Sequence, residues 1–310
     1  MKKICFFILA LPLVSGLSSC DKVENAYHPA IATDLDPSYY PGEWSDYEAN
    51  EWPEFTPNSN TLRNVLIEDY TGHTCNNCPN AATTAHNLEA ANPTRVFSVG
   101  IHAGPGGMTA FQNFTPGASK YYTDHTNAEG LAYGLTFQNG FNFFGNPQGT
   151  VNRAIYENKM FDLQSSWSTR TSEILNDADL KFNIQSVFNY YSSTNGGYLH
   201  IEVEKLTQES IETNLVVYVV KNEETDWQKM PDNSDNPDYL HENKHLGSID
   251  GQEWGRPLKT AELGAGEKVL ENYSYGLPEG IAFDNLHFLI YVYDVNTYEI
   301  LQVVKQEITE

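Results

Sequence analysis

The stretch from Val65 to Pro79, VLIEDYTGHTCNNCP, limits what this chain can build more than any other. An apolar run (Val65, Leu66, Ile67) breaks at Gly72, the pair Cys75-Asn76-Asn77-Cys78 follows, and Pro79 opens a helix-compatible segment. A strand that ends in a tight loop and delivers two cysteines onto the first turn of a helix is redox geometry. The partial positive charge of a helix N-terminus favours a thiolate over a thiol. Cys75, at the exposed end of that turn, is the expected attacking thiolate and Cys78 the resolving thiol. His73, two residues upstream, is expected to face water. Asp69 or Glu68 could accept a proton, and strand alternation lets one of them face the core.

The first residues are read as a leader. Lys2 and Lys3 form a positive start, and Ile4 to Leu17 an apolar segment too short to span a bilayer. Leu17-Ser18-Ser19-Cys20 then resembles the lipobox of bacterial lipoproteins, which implies that residues 1–19 are removed and that Cys20 carries lipid (palmitate among its acyl chains). Of four cysteines, Cys5 leaves with the leader and Cys20 is acylated, so Cys75 and Cys78 have only each other to pair with. Export to an oxidising compartment permits that disulfide. The formal charge of −23 becomes −25 once Lys2 and Lys3 are lost. Such a field excludes nucleic acid as a partner and argues against adsorption to anionic headgroups, leaving the N-terminal lipid as the membrane contact.

Residues 20–60 are acidic, punctuated by Pro29, Pro37, Pro41, Pro53 and Pro57, and without apolar periodicity. They read as an extended tether whose aromatics (Tyr39, Tyr40, Trp44, Trp52, Phe55) can lie down on a domain surface. Residues 61–177 form the first expected domain. Val65–Asp69 is a buried-strand candidate, Pro79–Ala90 a helix and Arg95–His102 a second strand, together a βαβ unit that wants parallel pairing. A helix is expected between Pro116 and Tyr133. Phe144 to Arg153 (FGNPQGTVNR) reads as a loop entering a strand, and Leu163, Trp167, Ile174 and Leu175 share one helical face.

These residues resemble a thioredoxin-like domain: a strand, a CxxC pair at a helix start, and a later Gly-x-Pro entering a strand. The resemblance implies that Pro147 is cis and packs against the disulfide, and that Asp69 is a buried carboxylate managing the proton of the second cysteine. Cys75, Cys78, Pro147 and Asp69 are then the candidate catalytic set. The chain departs from the pattern with Thr74 before the first cysteine, Asn-Asn within the pair, and a long insertion before Pro147. The phrases TGHTCNNCPNA and GNPQGTVNR, with the lipobox and a β-rich C-terminal half, resemble the twenty-eight-kilodalton outer membrane protein family of Bacteroidetes-type lipoproteins. That resemblance implies outer-membrane placement and no established reaction.

From Asp179 the apolar period changes to two, as in Leu180, Phe182, Ile184 and Leu199, Ile201, Val203, while Leu215–Val220 is continuously apolar. Residues 178–310 are therefore expected as an all-β sandwich, immunoglobulin-like, giving an α/β thioredoxin-like domain followed by a β-sandwich. Residues 222–260 lack strand pattern and are expected as a long loop. Inside it, His241-Glu242-Asn243-Lys244-His245 has the spacing that sets two imidazoles on one helical face for zinc. Asp232, Ser234, Asn236 and Asp238 alternate as calcium-loop oxygens do, with Pro237 at the position that wants glycine. Trp227, Tyr239 and Trp254 make the region sticky enough for a partner. The sequence is expected to encode a lipid-anchored outer-membrane interaction module with a protein or glycan partner of the envelope, no cofactor, no metal and no assigned reaction. The alternative is a membrane-tethered thiol–disulfide oxidoreductase using the cysteine pair, and a zinc peptidase through HENKH stands third.

Overall fold

The computed structural model describes residues 35–177 and 179–310; the leader, Cys20 and the first part of the tether lie outside them. The described part of the tether is not extended. Pro37–Tyr39 forms a 3-10 turn and Trp44–Asn50 a helix (α1). Tyr47 of α1 is fully buried, stacks on Trp44 at 4.9 Å, and its hydroxyl lies 2.5 Å from His200 Nε2. Aromatic area supplies the burial that a proline-rich segment otherwise lacks.

Val65–Tyr70 (β1) is buried along its whole length. Val65 and Ile67 belong to one core and Leu66 and Tyr70 to another. A strand covered on both faces reads as an unbroken apolar run. The same fact corrects the expectation that one of Glu68 and Asp69 would face away from the interior: they are 0% and 4% exposed. The helix Cys78–Ala91 (α2) leads to Val96–Ile101 (β2), which pairs with β1 in parallel from Val65↔Val96 to Tyr70↔Ile101, as the βαβ reading requires. Ala128–Phe137 (α3) is capped by Asn127, whose side chain accepts from the Gly130 amide. It starts well inside the helix window read from the sequence and runs past its end. Gln148–Val151 (β3) lies antiparallel on the other side of β1. Trp167–Asn176 (α4) closes that end, burying Trp167 and Ile174 against Val65 and Ile67, whereas Leu163 is exposed.

Three antiparallel strands, Phe182–Tyr191 (β4), Gly196–Lys205 (β5) and a later strand, Lys268–Gly276, make a small sheet with β5 in the middle. It packs on a second, larger sheet. There Thr213–Lys229 (β6) pairs with Asp235–Ser248 (β7) and with the two-residue strand Arg256–Pro257 (β8). Counting Lys268–Gly276 as β9, the last two strands are Leu286–Asp294 (β10) and Ile300–Glu307 (β11). The large sheet runs β11-β10-β6-β7-β2-β1-β3, with β8 on β6. It is mixed, and it continues from the C-terminal half into the N-terminal half: β7 meets β2 in parallel at Gly100↔Lys244. β6 explains its own apolar run. Leu215, Val217 and Val219 pack toward the small sheet, while Val216, Tyr218 and Val220 pack toward α3 and β1.

The expected loop at 222–260 is a correction. The second half of β6 and all of β7 occupy residues 222–248 as a long hairpin that runs past the stretch of β6 paired with β10. Its polarity hid it, because its side chains bond to ionic and amide partners rather than to an apolar layer.

Candidate functional site

The loop after β1 holds Cys75, and α2 begins at Cys78 with Pro79 in its first turn. The two sulfurs form a disulfide. Each cysteine is only 1% exposed, so the expectation of an exposed Cys75 is corrected. Two segments from elsewhere in the chain bury it. In the first, the turn Ala110–Gln112 lies over the loop: the Thr74 amide donates to the Phe111 carbonyl at 3.2 Å. Gly72 sits beneath it, and a Cβ there would be 2.4 Å from the Phe111 oxygen. In the second, the β6–β7 hairpin crosses the pair. Gln228 Nε2 donates to the Cys75 carbonyl at 3.0 Å, and the Lys229 amide to the His73 carbonyl at 2.8 Å. The hairpin is held by Asp235, whose carboxylate accepts from Lys120 Nζ (2.6 Å), the Tyr121 hydroxyl (2.6 Å) and Lys229 Nζ (3.0 Å).

Beside the disulfide is a pocket of about 50 Å³, lined among others by Asp69, Cys78, His102, Gln228, Tyr239 and His241. Burial pushes the Asp69 carboxyl up to about 8, and its Oδ1 has no hydrogen-bond partner. It is therefore protonated at neutral pH. Glu68, its neighbour, behaves oppositely. Burial alone would raise its carboxyl, but the guanidinium of Arg153 at 2.6 Å, with the Thr150 and Tyr218 hydroxyls, holds it below the ordinary range. The Asn146–Pro147 peptide is cis, and Pro147 is buried immediately before β3, next to the end of β1 that leads into the cysteine loop. Asn146 fixes that corner by donating to the Tyr70 and Ala103 carbonyls, each at 2.8 Å.

His73 is a further correction. It is 1% exposed, and its Nε2 donates to the Asn113 carbonyl at 2.8 Å. Burial lowers its basicity, so it stays neutral beside Cys75. It belongs to a group that sequence reasoning missed: the rings of His73, His102 and His241 pack around that of His125 between the cysteine loop and the hairpin. Ring centres lie 4.8 Å apart for His102–His125, 5.0 Å for His125–His241 and 5.1 Å for His73–His125. These residues come from four separate stretches, so no spacing could have revealed the group. Lys244 Nζ lies 3.3 Å from His125 Nδ1 and is paired with Glu224.

The HENKH spacing does not deliver a helical pair of imidazoles, because the motif is strand β7. At a strand's rise, four residues separate His241 from His245 by about 13 Å. His241 joins the histidine group, while His245 contacts Tyr218 at 4.3 Å. The calcium-type oxygens are likewise turned inward on their own backbone. Asp232 Oδ1 accepts from Ser234, and Asn236 Oδ1 from the Asp238 amide. Among the described residues, no three donors from His, Cys, Asp or Glu converge on a point as metal ligands would.

Comparison with known proteins matches residues 135–310 to the family described as "Outer membrane protein Omp28". No curated protein matches the chain. Among solved structures, HBP35 of Porphyromonas gingivalis is similar in fold, with a TM-score of 0.59 at 15% identity over 81% of this chain and 77% of that one. A protein from Agrobacterium tumefaciens gives 0.49 at 12% identity, over 81% and 97%. A domain of the outer membrane lipoprotein Omp28 from Porphyromonas gingivalis gives 0.26 at 20% identity, over 42% of this chain and 90% of that domain.

Proposed function

The chain belongs to the Omp28 family of outer membrane proteins, and on that premise we propose that it is a lipid-anchored binding module in which the disulfide is a staple. Cys20 carries the anchor, residues 61–177 form a thioredoxin-like unit, and residues 178–310 form a β-sandwich that presents the binding surface to an envelope protein or glycan. The observation that carries this reading is the burial of Cys75, with the Gln228 side chain bonded to its carbonyl. A nucleophilic cysteine needs an approach path for its substrate disulfide, and here the hairpin occupies it.

One observation favours a second reading, a tethered thiol–disulfide oxidoreductase using Cys75, Cys78, Pro147 and Asp69. The pocket reaches Cys78 and Asp69 together, and a neutral carboxyl there can pass a proton to a leaving thiolate. The reduction potential of the pair decides between them, measured together with trapping of mixed disulfides on a Cys78→Ser variant. A staple gives a potential below about −300 mV and no trapped partner. A value between about −120 and −270 mV with trapped partners would overturn the binding-module reading.

A further inference from the structure

We propose, resting on the reading that Cys20 carries the lipid, that the body lies on the membrane through one end of the small sheet, with zwitterionic lipid headgroups as the partner. It is the end where the chain enters the body, and hydrogen bonds fix that point. The Asp36 amide donates to Ser274 Oγ at 2.6 Å, the Tyr198 hydroxyl to the Asp36 carbonyl at 2.8 Å, and the Thr194 hydroxyl to the Tyr39 carbonyl at 2.6 Å. The chain then crosses the face of the small sheet opposite Phe182, Ile184 and Phe188, which belong to the core. There the Asn189 side chain donates to the Glu51 carbonyl (3.0 Å), Gln185 to that of Thr56 (2.8 Å) and Asn183 to that of Asn60 (2.9 Å). Residues 36–60 are therefore part of the body. At full extension the link from Cys20 to Leu35 reaches at most about 54 Å, against about 160 Å for a chain free as far as Val65.

That end is built unlike the rest of an acidic chain. Residues 182–201 hold no Asp, Glu, Lys or Arg and residues 272–283 hold Glu279 alone, in a chain of which 19% is charged. Gly196 pairs with both Tyr191 and Gly276, so the β4–β5 turn and the end of β9 lie side by side. The Leu277 amide donates to the Asn195 carbonyl at 2.9 Å, joining the turn and the segment after β9 into one tip. Tyrosines ring it. Tyr39 packs on Gly196 and Gly276, where a Cβ would meet it at 2.2 and 2.5 Å. Tyr40 lies 5.2 Å from Tyr191, and Tyr190 lies 5.1 Å from Phe283. Ser193 and Ala282 are exposed at the tip, with Tyr40, Tyr190, Ile281 and Phe283 half-buried around them. Rings that join an apolar body to a hydroxyl settle at headgroup depth. The exposed carboxylates at the rim, Asp36, Glu51 and Glu279, choose the lipid, since they repel an anionic surface and leave a zwitterionic one. The opposite end of the same sheet is charged, with Lys181 paired to Asp179 and Glu209.

The test uses the full mature chain in nanodiscs of phosphatidylcholine and phosphatidylethanolamine, with intact mass reporting whether Cys20 is acylated. Nitroxide labels are placed one at a time through Ser193→Cys, Ala282→Cys and, at the opposite end, Gln208→Cys, all at exposed positions. Collision with a water-soluble nickel chelate should be at least about twofold slower at 193 and 282 than at 208, because a flat surface removes half the directions of approach. The protection should weaken when a third of the lipid is phosphatidylglycerol. Hydrogen exchange of the unlabelled chain, slowed on discs at 190–196 and 277–283, guards against a label that disturbs the tip. Equal collision at all three positions on an acylated chain would overturn the contact and leave the anchor standing. A chain without acyl groups that stays off the discs would overturn the anchor and the contact together. Protection that follows chain concentration would assign the tip to a second copy, and protection that strengthens on anionic lipid would contradict the rim charges; either overturns the contact.

Discussion

Replacing Arg153 by methionine tests whether the two halves of the molecule are held by a buried charge. Arg153 and Glu68 are both fully buried, joined by bonds of 2.6 and 2.8 Å. The Nη2 that bonds Glu68 also lies 2.8 Å from the Tyr218 hydroxyl of β6 and 3.1 Å from the Tyr291 hydroxyl of β10. The pair therefore ties β1 to two strands of the other half. Breaking a buried pair by removing one partner costs about 3–5 kcal/mol, because an uncompensated charge remains. At about 2 °C per kcal/mol for a chain of this size, the melting temperature should fall by about 6–10 °C.

The pH dependence supplies a sign. With Arg153 present, the Glu68 carboxyl sits below its ordinary value, so the stability it contributes is present above the unfolded pKa and lost as pH falls. Without Arg153, burial, the largest influence, is opposed only by the Thr150 and Tyr218 hydroxyls and lifts that carboxyl above its ordinary value. Stability is then lost as pH rises, so the deficit of the variant grows from pH 5 to pH 8. Glu68→Gln should cost less. The arginine it strands still lies over the rings of Tyr133 (5.2 Å), Tyr291 (5.4 Å) and Phe137 (5.5 Å), which attract a cation. Urea denaturation followed by tryptophan fluorescence reads both variants. A loss under about 1 kcal/mol at pH 7, or a deficit that does not grow with pH, would refute this account.

Three further outcomes are expected. Asp69 has a folded carboxyl near 8 against 3.8 in a free chain, so its contribution is present at low pH and lost as pH rises toward 8. Asp69→Asn should flatten that slope, worth up to about 5 kcal/mol at 1.36 kcal/mol per unit, and unchanged urea midpoints at pH 5 and 8 would contradict it. Gln228→Ala removes a bond from hairpin to cysteine loop worth about 1 kcal/mol, and should speed reduction of the disulfide by dithiothreitol about fivefold; an unchanged rate would mean that the hairpin does not gate access. Gly149→Ala would place a Cβ 2.4 Å from the Glu68 carbonyl oxygen and 2.5 Å from the Trp167 ring. It should destabilise the chain by about 2–4 kcal/mol in a thermal melt, and a variant as stable as the parent would show that the corner can relax.

The βαβ unit was legible because its signals are local. VLI marks a doubly covered strand, Pro79 and Asn92-Pro93 bound a helix, and the two strands pair in the register that follows. The outer strands of the second half were legible from their period of two. What the sequence concealed is the contact between halves. Residues 222–248 look like loop because Asn222, Glu224, Asp226 and Gln228 each pair with a specific polar group, and Pro237 falls where the β6–β7 register slips. Burial of Cys75 could not be read either, since the residues that cover it lie some 35 and 153 positions away. The histidine group is hidden for the same reason, as its members span His73 to His241.

The hairpin over the cysteines also sets an order of events. Cys75 and Cys78 are close enough to pair as soon as β1 and α2 exist, but Gln228 and Lys229, which complete their cover, are synthesised far later. Loop closures of that span are slow to form relative to local ones. An oxidant thus meets two open thiols before the hairpin docks and a covered bond afterwards. A disulfide formed before the hairpin docks is then shielded by it.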